Sequence, residues 1–308
     1  MLVYLSEYID PPARELLAQH TTIVDNFNEI EKIDAILLRN IPVTAEMMDK
    51  AKNLKLIAKH GIGVNTIDLE AAKAHGIMVT NTPTANADSV AELVVATILN
   101  LERKLYQANI GCRAGKYTKI APKELEGNEI GGKVLGQIGA GNIAQRAANI
   151  LRSGFKMQTI AYDPFIDAIE AKKRGFEKVE TLEELIKKSD VVNISVHLTK
   201  DTIDLISGNM FDNFKKNAVL INASRGGIVN ENDLYEALKA GKLRGAACDT
   251  FVHEPPSASN SKLFELDNFC GTPHLGADTE EALQKVGKEA VQEIINLVTG
   301  KPQNHRVC

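Results

Sequence analysis

Tryptophan is missing from these 308 residues, and cysteine is scarce. The four cysteines, Cys112, Cys248, Cys270 and Cys308, stand apart with no C-x-x-C pair. That excludes a disulfide framework or a thiolate zinc site as the organising feature, and free thiols fit a reducing cytoplasm. No metal site is expected. Long apolar runs are also lacking: stretches such as Ala218–Ile221 are short, whereas a spanning helix needs ~20 apolar residues. The N-terminus has no basic start and reaches Glu7 and Asp10 early, so a secretory signal is not expected. Nor is positive charge in excess. Lys plus Arg is 36 against 40 Asp plus Glu, a net charge of −4, which argues against a nucleic-acid binder held by bulk charge. There is no low-complexity tract and no internal repeat. Length alone implies about two domains, each large enough for its own core.

What is present is alternation. Leu2–Leu5, Ala35–Leu38, Leu56–Ala58 and Ile77–Thr80 read as strands, separated by helical patterns at Pro12–Gln19, Ala45–Lys52 and Leu69–His75. Strands alternating with helices indicate βαβ units and a parallel sheet. A long helix is expected to start near Ser89, where Ser89–Glu92 has the S-x-x-E form of a capping box. Tyr106–Gly132 is polar and strandless. A second series follows, with strands expected at Val134–Ile138, Thr159–Tyr162, Val191–Ser195, Ala218–Asn222 and Gly245–Cys248. The last helix, about Thr279–Thr299, stops at Gly300 with Pro302 beyond it.

Gly139–Ala140–Gly141–Asn142–Ile143–Ala144 is G-x-G-x-x-A between a strand and a helix. Gly139 would make the tight turn, Gly141 would admit a pyrophosphate, and Ala144 would let helix pack on strand. The N–H groups of Asn142 and Ile143 would face the phosphates. The helix is expected to stop at Ser153–Gly154. By itself the glycine pattern is weak, since glycines punctuate many turns. Its context is stronger, because the next strand ends at Asp163, where a carboxylate should meet the adenosine ribose hydroxyls. No arginine follows to bind a 2′-phosphate, which favours NAD over NADP. The bland alternative for Asp163 is an acid opening a turn before proline.

Three later segments place polar residues at strand ends, where doubly wound sheets bind ligands. In Asn222–Gly227, the Arg225 guanidinium could hold a carboxylate bidentately, unless it is an ordinary surface arginine. In Cys248–Pro256, Asp249 ends a strand and Glu254 precedes a proline; an exposed loop acid is the commoner fate of glutamate. In Gly271–Ala277, His274 is suited to proton transfer near neutral pH, though a lone histidine is more often a packed structural one. The six other histidines lack such surroundings.

With these segments in order, the chain resembles the D-isomer-specific 2-hydroxyacid dehydrogenase family over its whole length. Lys59–Asp68, Val90–Glu92, the glycine fingerprint, Asn222–Gly227, Asp249–Pro255 and Pro273–Gly276 carry the resemblance. It implies an α/β fold of two Rossmann-like, doubly wound parallel-sheet domains with a cleft between them. The substrate-binding domain would be discontinuous, 1–97 plus 282–308, around an NAD-binding domain at 98–281. It implies reversible hydride transfer between NAD and C2 of a 2-hydroxy or 2-oxo acid. Arg225 would bind the substrate carboxylate, His274 would be the acid/base, and Glu254 would hydrogen-bond His274 and keep it protonated for reduction. Asp249 would hold the nicotinamide carboxamide. His197, Leu198, Thr202, Ala223, Ser224 and Gly276 would join Gly139, Gly141, Asn142, Ile143 and Asp163 around the cofactor. Ile62 and Gly63 would offer N–H groups to the carboxylate. The segment Val196–Thr202 is two residues shorter than the family's adenine-side loop. The resemblance also implies a homodimer formed through the NAD domain.

Leu38–Arg39–Asn40 with Val43–Thr44 resembles the arginine-bearing strand end of the short, phosphoglycerate-oxidising members, which serve serine biosynthesis. Arg39 would face a phosphate, with Lys59 where those members carry another arginine. The regulatory C-terminal domain of longer members is not expected. A glyoxylate, hydroxypyruvate or D-lactate enzyme would keep the same catalytic three. So could a reading of another class, an NAD-sensing corepressor that binds peptides.

Overall fold

A computed structural model describes all 308 residues, which divide into two compact units, 1–89 with 277–308, and 90–276. The first holds β1 (Leu2–Leu5), α1 (Pro11–His20), β2 (Thr22–Val24), β3 (Ala35–Leu38), α2 (Ala45–Lys50), β4 (Leu56–Lys59), α3 (Leu69–Ala74) and β5 (Met78–Thr80). Its sheet has the order β2-β1-β3-β4-β5, with every ladder parallel. Both faces are covered, as a parallel sheet requires. Val3, Leu37 and Ala58 face one apolar cluster; Ile36, Leu38 and Ile57 face the other. Each such buried Val, Leu or Ile side chain is worth about 1.5–3 kcal/mol.

Local signals position the helices. Asp10 caps α1 by accepting the Ala13 N–H, and Pro11 opens the first turn. Thr44 and Asp68 cap α2 and α3 in the same way.

Helix α4 (Ala87–Arg103) leads into the second unit, followed by α5 (Leu105–Arg113), β6 (Val134–Ile138), α6 (Asn142–Phe155), β7 (Gln158–Tyr162), α7 (Ala168–Lys173) and β8 (Glu177–Lys178). Then come α8 (Leu182–Lys188), β9 (Val191–Ile194), β10 (Val219–Asn222), α9 (Glu231–Lys239), β11 (Gly245–Cys248) and β12 (Phe269–Gly271). The seven strands form a second all-parallel sheet, β12-β11-β10-β9-β6-β7-β8. Strand order reverses beside β6, so the crevice outside the carboxyl end of β6 is the topological switch point. The chain then returns to the first unit in α10 (Glu280–Thr299), which packs on α1; a Cβ at Gly287 would lie 2.0 Å from Asp10 Oδ1. Thr279 caps α10 and Gly300, at φ +70°, ends it.

Several sequence expectations shift. α4 begins at Ala87, so Ser89 lies inside its first turn and is no cap. The division falls after Ser89 and Gly276, earlier than the expected 97/98 and 281/282. The cause is that Ala91, Val94, Ile98 and Leu101 of α4 already pack into the second unit's core. α6 runs through Ser153–Gly154 and ends where Lys156 turns left-handed at φ +56°. The stretch from Tyr106 is strandless but opens in α5. Three short strands, β2, β8 and β12, carry no clear signal in sequence. No helix is long and apolar enough to cross a membrane.

Candidate active site

In the second unit every residue singled out above sits after the carboxyl end of a strand. Gly139 takes φ +87°, and a Cβ there would lie 2.6 Å from the Ser195 carbonyl, so only glycine fits this turn between β6 and the end of β9. Gly141 is open, with nothing within 4 Å of a Cβ position. It is the N-cap of α6 and supplies no side-chain cap, so the first N–H groups of that helix, Asn142 and Ile143 included, keep their donor capacity. This open helix start, with its positive dipole end, fits a dinucleotide pyrophosphate. Ala144 is fully buried against the sheet.

Asp163 follows β7 and faces the same turn. Its Oδ2 accepts the Ala140 N–H at 3.0 Å and its Oδ1 the Phe165 N–H at 3.0 Å. The turn-opening role is therefore real, and it ties the carboxylate to the glycine loop where a ribose would lie. Beyond β9 the Val196–Thr202 loop closes on itself. Thr202 Oγ1 donates to the His197 carbonyl at 2.7 Å and accepts the Thr199 N–H at 2.7 Å, with Leu198 half-buried against the core below.

After β10, Asn222 folds the Ala223–Gly227 loop: its Nδ2 donates to the Arg225 carbonyl and its Oδ1 accepts the Ser224 N–H. Ser224 Oγ donates to the Ile194 carbonyl at 2.8 Å, tying the loop to β9. Gly226 permits the approach to the next loop, since a Cβ there would lie 2.0 Å from the Phe251 carbonyl carbon. That contact brings Arg225 and Glu254 within electrostatic reach. Burial lowers the pKa of the Arg225 guanidinium, and the Glu254 charge opposes it.

After β11, Asp249 is buried and anchors the loop beyond β12. Its Oδ1 accepts the Thr272 hydroxyl at 2.6 Å and the Leu275 N–H at 2.7 Å; its Oδ2 accepts the Gly276 N–H at 2.8 Å. Burial raises its pKa against these hydrogen bonds. The Asp249 carbonyl accepts the His274 N–H at 2.8 Å. These contacts hold His274 at φ +59°, a left-handed conformation that costs a non-glycine residue about 1–3 kcal/mol. Its Nδ1 lies 3.1 Å from Glu254 Oε2, while Glu254 Oε1 accepts the Phe251 N–H at 3.1 Å. Burial pushes the Glu254 carboxyl up. The His274 hydrogen bond and charge, the Phe251 N–H and Arg225 outweigh that and leave it below the usual carboxylate range. Nε2 is left as the imidazole atom for an external ligand.

The first unit places its candidates at the carboxyl ends of β3 and β4. Arg39 follows β3, Lys59 ends β4 and is buried, and the Ile62 carbonyl accepts Asn81 Nδ2–H at 2.9 Å beside Gly63. Two residues here went unmarked in sequence. Glu7 Oε2 accepts the N–H groups of Arg39, Asn40 and Ile41, and His60 is buried with its Nε2 unpartnered. Burial first, then the Arg39 charge, lowers the His60 pKa to about 4.

Residues 95–276 match the family described as D-isomer specific 2-hydroxyacid dehydrogenase, NAD binding domain. A D-3-phosphoglycerate dehydrogenase of Archaeoglobus fulgidus is 40% identical over 280 residues, covering 91% of this chain and 52% of its own length. The chain thus spans about half of that relative. A hydroxypyruvate reductase of Thermotoga maritima is 38% identical over 305 residues, covering 95% of this chain and 96% of its own. The structure of an Aquifex aeolicus D-lactate dehydrogenase complexed with NAD and lactic acid superposes with a TM-score of 0.87 at 28% identity, covering 100% of this chain and 99% of that one. Fingerprint, strand-end residues and relatives agree, and the chain belongs to the D-isomer-specific 2-hydroxyacid dehydrogenase family.

Proposed function

We propose that this protein is an NAD-dependent oxidoreductase interconverting a D-2-hydroxy acid and its 2-oxo acid. The observation that carries the reading is the Glu254–His274 pair, 3.1 Å apart, in the unit that offers Arg225 and an open helix start at the carboxyl edge of one sheet. Bound NAD supplies the hydride acceptor, and its reduced form the donor. The protein's residues do the rest. Arg225, on a loop pinned by Asn222 and Ser224, holds the substrate carboxylate. His274 donates a proton from Nε2 to the carbonyl oxygen as reduction proceeds, and withdraws it in oxidation. Glu254 accepts from Nδ1–H, fixes the tautomer and stabilises the imidazolium. A cation and a proton donor at the developing alkoxide both lower the barrier. Gly139, Gly141, Asn142, Ile143, Asp163, His197, Leu198, Thr202, Ala223, Ser224, Asp249 and Gly276 make up the proposed cofactor site, and the N–H groups of Ile62 and Gly63 are proposed carboxylate donors of the first unit.

For the substrate we favour 3-phosphoglycerate and 3-phosphohydroxypyruvate. Arg39 and Lys59 stand at neighbouring strand ends of the first unit, and relatives such as the archaeal protein above carry that activity in their names. The second reading, hydroxypyruvate reduction, is supported by the Thermotoga relative, 38% identical over 305 residues. The deciding experiment follows NADH at 340 nm while ranking catalytic efficiency over phosphohydroxypyruvate, hydroxypyruvate, glyoxylate and pyruvate. Phosphohydroxypyruvate leading supports the first reading and hydroxypyruvate leading the second. Turnover of no acid would overturn the enzyme in favour of a nucleotide-sensing binding protein. A homodimer belongs to the same reading, supported by the exposed Leu105, Tyr106 and Ile110 of α5, and light scattering of the purified chain tests it.

A further inference from the structure

The first unit's sheet reverses its strand order too. β1 lies between β2 and β3, so the crevice outside β1 and β3 is its own switch point, where open α/β sheets bind ligands. Glu7 follows β1 and Arg39 follows β3. Glu7 Oε2 accepts the Arg39 N–H at 2.7 Å, the Asn40 N–H at 2.6 Å and the Ile41 N–H at 3.4 Å, and the Ser6 hydroxyl at 3.0 Å. Consecutive backbone N–H groups converging on one point make the concavity that anions occupy. Here the protein's own carboxylate fills it, so an external anion at this switch point meets the Arg39 side chain.

That side chain is already engaged. Arg39 Nη2 lies 3.5 Å from Asp278 Oδ1, and the Arg39 side chain is 24% and the Asp278 side chain 45% exposed. His60 adds no further positive charge, because its buried imidazole stays neutral beside Arg39 and Lys59. The carboxylate that touches the Arg39 guanidinium is therefore that of Asp278.

We propose that Asp278 is a specificity-determining residue, a resting counter-ion that a substrate's terminal dianion displaces from Arg39, and that Glu7 is a positioning residue that fixes the Arg39 backbone. The inference rests on the phosphorylated-substrate reading above. A terminal methyl or hydroxymethyl group leaves the Arg39–Asp278 pair intact. A phosphate dianion carries more charge than a carboxylate and matches the guanidinium bidentately, so it can take the arginine over.

The test is steady-state kinetics of the whole chain with NADH, using phosphohydroxypyruvate and hydroxypyruvate in parallel. Wild type is compared with Asp278→Asn, Arg39→Ala, the double variant and Glu7→Gln. Asp278→Asn should lower the KM for phosphohydroxypyruvate about twofold to fivefold, the range of an exposed ion pair, and raise the efficiency ratio of phosphorylated to unphosphorylated acid. That gain should vanish in the Arg39→Ala background. Glu7→Gln should lower the ratio, through KM and not kcat. A wild-type preference for the phosphorylated acid that Asp278→Asn leaves unchanged, or that it raises equally without Arg39, overturns the inference alone. No wild-type preference, with Arg39→Ala acting alike on both acids, overturns the substrate reading and the inference with it.

Discussion

At the scale of the residue, His274 shows how a site is assembled from unequal parts. Its left-handed backbone is unfavourable in isolation, and three hydrogen bonds to the Asp249 carboxylate hold the loop that imposes it. The imidazole is thereby aimed before any ligand arrives. His274→Ala should lower kcat about 10²–10⁴-fold, while fluorescence titration shows NADH affinity little changed. Loss of cofactor affinity instead would mean the residue is misassigned. Asp163 ties down the glycine loop by accepting the Ala140 N–H, and in the proposed cofactor site it also meets the ribose. Asp163→Asn keeps the capacity to accept the Ala140 N–H and removes the charge that would repel a 2′-phosphate. The ratio of NADH to NADPH efficiency should therefore fall, and an unmoved ratio would remove Asp163 from cofactor choice.

At the scale of the element, the site is built from loops after parallel strands, and glycine decides how near those loops come. Gly226 is the tightest, because its α-carbon faces the Phe251–Val252 backbone with no space for one more carbon. Gly226→Ala forces the Arg225 loop away from the Glu254 loop. It should cost about 1–3 kcal/mol, read as a lower urea midpoint, and raise the KM of every 2-oxo acid together. Central strands were legible from their apolar runs: β1, β3, β6 and β11 lie where the sequence places them. Of the edge strands, β5 was legible at Ile77–Thr80, whereas β2, β8 and β12 were not. β2 and β8 are half-exposed and short, so no buried alternation marks them. α5 was missed because Tyr106–Gly132 reads as one polar, strandless stretch; in the fold the Tyr117 ring packs where a Gly111 side chain would be.

At the scale of the whole molecule, the chain uses one device twice, a doubly wound parallel sheet with polar residues at its carboxyl edge. The first unit also carries a buried group whose protonation is linked to folding. His60 takes up a proton near pH 4 when folded and near the ordinary 6.5 when unfolded, because burial and the Arg39 charge disfavour imidazolium. The unfolded chain therefore binds more protons between those values. Stability from this source is full above about pH 6.5 and lost as pH falls toward 4, by at most about 3 kcal/mol. Urea unfolding at pH 7 and pH 4.5 should show a smaller acid loss for His60→Asn than for wild type, and an equal loss would contradict the assignment.

Motifs and elements depend on neighbours along the chain, and these the amino-acid sequence determined alone. The glycine turn and its following helix, the carboxylate after the next strand, and the order of Arg225, Glu254 and His274 all follow from spacing that a linear reading can measure. Only tertiary structure decided what each group does to the others. Glu7 meets the Arg39 N–H across 32 positions and Asp249 meets the Leu275 N–H across 26. Such contacts exist because parallel strands bring their carboxyl ends to one edge, a proximity created by hydrogen bonding between strands and not by distance along the chain.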